Sequence, residues 1–106
     1  MNPEPLTTQE KYEELWCGRG TKPFLIWFTA TWCKPCKRLD VSAIAAAAAA
    51  RDIPFYICDH TVNNYTAGYC GVRSFPTFLL LRPQKELARL TSANTEAVCD
   101  WIRHLE

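Results

Sequence analysis

Two residues separate Cys33 from Cys36, and that spacing has two chemistries open to it. Two thiols within one helical turn can close into a disulfide and reopen, exchanging a dithiol for a disulfide with another molecule. The same pair could be half of a tetrahedral zinc site, but such a site needs a second close pair. Cys17, Cys58, Cys70 and Cys99 are scattered, so no metal is expected, and each reads as a small core hydrophobe. In disulfide exchange the attacking species is a thiolate, so the protein must favour sulfur as an anion. Lys34 places a cation beside Cys33, and a helix opening here would add unpaired N–H groups and the positive end of its dipole. Cys33 is therefore the expected nucleophile, with Cys36 attacking the resulting mixed disulfide and Pro35 stiffening the turn.

Such a pair must be held by rigid elements on both sides. Upstream, Phe24 to Phe28 is a short apolar run rich in aromatics, expected as a central strand buried on both faces. Downstream, the pattern predicts one helix from the cysteine segment through Leu39, Val41 and Ile44 to about Arg51. Its Ala45 to Ala50 run is read as a close packing surface with no chemical role. Thr7 and Glu10 read as a capping box for a first helix that ends at Gly18. Phe55 to Cys58 reads as a second buried strand, and Asn63 to Tyr69 as a loop with a short helix. Thr77 to Leu81 and Glu86 to Thr91 form an antiparallel hairpin, and Asn94 caps a last helix with Val98, Trp101, Ile102 and Leu105 on one face. The expected order is α, β, α, β, α, β, β, α, an α/β fold with a central mixed β-sheet flanked by α-helices on both faces.

At 106 residues the chain is expected to form a single domain, residues 1–106, around one modest core. Apolar residues make up 48% and charged residues 22%, as in ordinary folded proteins. A formal charge of +1 gives no general attraction to nucleic acid or to an anionic membrane. No apolar run approaches the roughly 20 residues needed to cross a bilayer. The polar N-terminus lacks the pattern of a secretory signal, so a cytoplasmic location is expected and the cysteines are not read as a structural disulfide framework. Asn64-Tyr65-Thr66 matches a glycosylation acceptor, which has no meaning in that location.

The segment Phe28-Thr29-Ala30-Thr31-Trp32-Cys33-Lys34-Pro35-Cys36-Lys37 resembles the active-site segment of the thioredoxin family, and Gly71 to Phe78 resembles its cis-proline segment. The resemblance runs from about Thr7 to Leu105, with Leu90-Thr91-Ser92-Ala93-Asn94 similar to the stretch before the family's last helix. It implies the thioredoxin fold and a redox-active Cys33–Cys36 disulfide with no other cofactor. Trp32, Lys34 and Pro35 would be active-site supports. Pro76 would follow a cis peptide bond, so that the backbone of Phe75 lies beside Cys33 and pairs with an extended substrate segment. The implied activity is protein-disulfide reduction by a monomer acting on protein disulfide substrates, with a reductase or a low-molecular-weight thiol as electron source.

Several positions depart from the family pattern. Lys34 replaces a glycine and makes the surface beside Cys33 bulkier and more positive; Val41 replaces a helix-bending proline; Ser92 replaces a glycine that lets substrate backbone approach. Trp27 stands six residues before Cys33, where the family carries a buried aspartate, and Phe55 stands where that aspartate's lysine neighbour would be. Replacing a buried charge pair by apolar side chains can stabilise a fold, but the proton acceptor for Cys36 is gone. Asp59 and His60 are read as turn residues and not assigned that role. Cys70 sits where some eukaryotic members have a modifiable cysteine, and is read as packing. The alternative function is a thioredoxin-fold binding module or subunit of a larger assembly with reduced redox activity; Cys33, Cys36, Trp32 and Pro76 all being present argues against it.

Overall fold

The computed structural model describes residues 2–105. Its sheet is built around β2 (Phe24–Thr29), every residue of which is buried. Because successive strand side chains alternate, β2 feeds two cores at once. Leu25 and Trp27 pack in one apolar cluster, while Phe24, Ile26 and Phe28 pack in the other. β3 (Phe55–Asp59) pairs parallel to one side of β2, and β4 (Thr77–Arg82) antiparallel to the other. β5 (Lys85–Thr91) continues the sheet as the expected antiparallel hairpin, with a register shift at Leu80/Leu81. The sheet is completed by β1 (Glu4–Pro5), a two-residue strand parallel to β3. Nothing in so short a polar segment marks it as a strand, and sequence reading missed it. With only that strip beside it β3 is less covered than expected: Cys58 alone is fully buried among its residues.

The cluster holding Phe24, Ile26 and Phe28 is covered by α1 (Gln9–Trp16) and α3 (Asn64–Tyr69), which contribute Tyr12 and Ala67. Thr8, not Thr7, caps α1, accepting a hydrogen bond from the Lys11 N–H at 3.2 Å. The opposite cluster is covered by α2 (Val41–Ala49) and α4 (Thr95–Arg103). Ile44 and Ala48 are fully buried there and Val98 and Ile102 meet them, so the alanine run does serve as a close packing surface.

The expected single helix from the cysteines to Arg51 is interrupted. Pro35–Arg38 forms a 3-10 turn, Leu39 is extended, and Asp40 starts α2 afresh. The cause is local: an aspartate gains more by accepting an N–H at a helix start than by sitting inside the helix. Its Oδ1 accepts from the Ala43 N–H at 3.1 Å. The Asp40 N–H in turn donates to Thr95 Oγ1 at 2.9 Å, tying the start of α2 to the start of α4, where Asn94 is the N-cap as expected.

Candidate functional site

The two sulfurs lie where the chain leaves the central strand. After β2 the Cys33 N–H donates to the Ala30 carbonyl at 3.0 Å, and Pro35 opens the 3-10 turn that contains Cys36. Cys33 and Cys36 form a disulfide with Cα atoms 5.4 Å apart, and both are almost fully buried. The Cys36 N–H points at Cys33 Sγ from 3.2 Å. This contact replaces the expected helix dipole: because α2 begins only at Val41, the cysteines do not sit at the N-terminus of a long helix. The Cys36 N–H is the backbone donor found at Cys33 Sγ among the described residues, and Lys34 is the next residue in the chain.

Cys33 opens onto a groove of about 440 Å³ walled by Trp32, Lys34 and Pro35 on one side and by Arg73, Ser74 and Phe75 on the other. Trp32 is 63% exposed. It is held edge-on to Phe75, with ring centroids 5.7 Å apart, and to His60 at 6.3 Å. His60, set aside as a turn residue in the sequence, therefore props the aromatic wall, and its own ring lies 5.1 Å from Phe75. The Phe75–Pro76 peptide bond is cis, as the resemblance implied, and Pro76 is buried. Among the described residues neither the N–H nor the carbonyl of Phe75 has a hydrogen-bond partner. The groove thus brings together Trp32, Cys33, Lys34, Pro35 and Phe75, with Cys36 joined to Cys33 by the disulfide and Pro76 following Phe75 in the chain. Arg73 was missed, although it lies within the segment that carries the cis-proline resemblance.

Behind the disulfide a second cleft, also about 440 Å³, is lined by Cys36, Trp27, Thr29, Lys37, Val41 and Asp59. Trp27 lies parallel to Phe78 with ring centroids 6.1 Å apart. Its Nε1 is buried and has no hydrogen-bond partner among the described residues. Trp27 and Phe55 pack in the same cluster, so the sheet face beside Cys36 is apolar where a charge pair was the family expectation. Asp59 does make a turn, accepting from the Thr61 N–H at 2.9 Å and from Thr31 Oγ1 at 3.2 Å. Its pairing opposite Thr29 also brings it to the Cys36 cleft, a placement that only strand register could reveal.

The remaining cysteines divide by burial. Cys58 and Cys99 are buried as expected, Cys70 is half-buried, and Cys17 is exposed, contrary to the core reading. Among the described residues no three His, Cys, Asp or Glu side chains come together to hold a metal. Burial pushes the Cys58 thiol up to about 12, and Cys70 and Cys99 are raised for the same reason. Burial raises the Tyr12 hydroxyl too. These groups ionise more readily in the unfolded chain, so the folded state binds more protons at alkaline pH. Stability is fully present below pH ~9 and is expected to fall as pH rises from ~9 to ~12. Urea unfolding along that range checks it; a Cys58→Ala variant should lose less on the alkaline side, and an identical slope would remove Cys58 from the account.

The protein-family model described as Thioredoxin matches residues 5–104. A thioredoxin of Geodia cydonium is 30% identical over 92 residues, covering 87% of each chain. Among solved structures, the thioredoxin of Fasciola hepatica superposes with a TM-score of 0.82 at 25% identity, covering 97% of this chain and 99% of its own. Oxidised mitochondrial thioredoxin 3 of Saccharomyces cerevisiae gives 0.81 at 28% identity, over 97% and 95%. With a family match over nearly its whole length, a thioredoxin fold and a closed Cys33–Cys36 pair, this chain belongs to the thioredoxin family and is a thiol-disulfide oxidoreductase.

Proposed function

We propose that Cys33 is the nucleophile and Cys36 the resolving cysteine of a protein-disulfide reductase. The Cys36 N–H directed at Cys33 Sγ, in a sulfur pair that opens onto the groove, carries this assignment. In the reduced protein the Cys33 thiolate attacks one sulfur of a substrate disulfide. The substrate S–S bond breaks, a Cys33–substrate bond forms, and the leaving sulfur takes up a proton. Cys36 then gives up its proton and attacks Cys33 Sγ, closing the intramolecular disulfide and releasing the second substrate thiol. Two electrons have passed to the substrate, and a reductase or low-molecular-weight thiol returns them. No bound cofactor is needed, because the electrons reside in the sulfur pair itself.

The remaining site residues take supporting roles in this reading. The backbone groups of Phe75, set by Pro76, pair with an extended substrate segment. Trp32 covers the disulfide edge, Pro35 restrains the turn, and Lys34 favours the thiolate. The chain works as a monomer in the cytoplasm. Four free cysteines, one of them exposed, fit a reducing compartment. Light scattering and cell fractionation test these two points.

The activity is tested by insulin disulfide reduction with dithiothreitol as electron source, where the protein should accelerate the reaction well above the reductant alone. A protein that leaves the rate unchanged while its Cys33 alkylates readily is not a general reductase, and the binding-module reading would then replace this one.

A further inference from the structure

The groove beside Cys33 carries charge of one sign. Lys34 and Arg73, both exposed, face it from its two walls, and among the described residues no carboxylate lines it. Neither makes a salt bridge among the described residues, where the ion pairs are Arg89–Glu86 and Arg103–Asp100. Lys37 and Arg38, exposed on the same 3-10 turn as Cys36, carry further positive charge, with Lys37 lining the second cleft. Asp40 caps α2, and Asp59 accepts from Thr31 and Thr61 beside the other cleft, so neither carboxylate lines the groove. A chain with a formal charge of only +1 thus concentrates positive charge where a partner must dock.

We propose that this groove selects extended partner segments with acidic residues flanking the cysteine under attack, one for each cationic wall. The proposal rests on the reductase reading above and names the substrate class of that same site. A substrate segment paired with the Phe75 backbone runs between the two walls, so side chains on either side of its cysteine pass within reach of Lys34 and of Arg73. Arg73 offers a planar fork suited to a carboxylate, whereas Lys34 acts as a point charge. Charges on the rim of a docking surface act mainly on encounter rate and on rejection of like-charged partners, and salt screens them.

The test is single-turnover oxidation of the pre-reduced protein by two disulfide-linked peptide dimers of equal length, one with glutamates and one with lysines flanking the cysteine. At low ionic strength the acidic dimer should react about tenfold faster, the scale of two rim charge pairs. The ratio should approach one near 1 M salt, where the screening length is about 3 Å. In the Lys34→Glu/Arg73→Glu variant the order should invert; comparing the two dimers within each protein cancels any change in the intrinsic reactivity of Cys33. Equal rates in the wild type, a preference that survives high salt, or an unchanged preference in the double variant would each overturn the proposal. Failure of both dimers to oxidise the protein would instead overturn the reductase reading, and the proposal with it.

Discussion

Cys33→Ser lowers disulfide turnover to the rate of the reductant alone, whereas Cys36→Ser abolishes turnover but leaves the first step intact. A serine hydroxyl at position 33 stays protonated at neutral pH and cannot do what a thiolate does, so the loss is on the order of 10³-fold or more. At position 36 the geometry gives a different outcome. The group that points at Cys33 Sγ is the backbone N–H of residue 36, which a serine retains. Cys33 in that variant should keep most of its reactivity and accumulate a stable mixed disulfide with its substrate, visible as a covalent adduct by mass spectrometry without reductant. Retained multiple turnover in Cys36→Ser would mean that an external thiol resolves the intermediate and that Cys36 is not the resolving group. The same pair of variants distinguishes redox turnover from simple docking, since a binding module needs neither sulfur.

What the sequence exposed and what it hid follow from the range of the interactions involved. The central strand, the hairpin and the Asn94 cap were legible because each is written in adjacent residues: an apolar run, a turn, a side chain that accepts a nearby N–H. The break at Leu39 and Asp40 was equally local but was obscured by the strong helix propensity of the alanines that follow it. That break matters chemically, since it leaves the Cys36 N–H of a short 3-10 turn, and not the first turn of a long helix, facing Cys33 Sγ. The two-residue β1 exists only because β3 offers it an edge, so no local signal marks it. Arg73, His60 and Asp59 belong to the site through the register of β2, β3 and β4, which places loops far apart in the chain around one sulfur pair. Residue types named the chemistry; long-range pairing decided which neighbours take part.

Trp27→Asp is expected to lower stability while speeding resolution. Trp27 is buried against Phe78, and truncating a core tryptophan costs about 3–5 kcal/mol, a large part of the ~5–15 kcal/mol that a domain of this size has. The Nε1–H that is lost is already buried without a partner, a burden of about 1–3 kcal/mol, but the incoming carboxyl carries a desolvation cost of its own, so the net loss stands. An indole can donate a hydrogen bond but cannot take the proton that Cys36 must lose before it attacks. A carboxylate in its place would face the same cleft, and burial would raise its pKa towards neutrality, where a general base is most effective. Decay of a Cys33 mixed disulfide, followed by rapid quench, should therefore be faster in Trp27→Asp than in the wild type and should gain a dependence on pH near neutrality. Trp27→Phe separates packing from proton transfer, since it keeps an aromatic ring against Phe78, removes the unpaired N–H and supplies no base. If Trp27→Phe resolves as fast as Trp27→Asp, the acceleration comes from loosening the cleft around Cys36. If both match the wild type, proton removal from Cys36 does not limit resolution, and the apolar face beside it costs the reaction nothing.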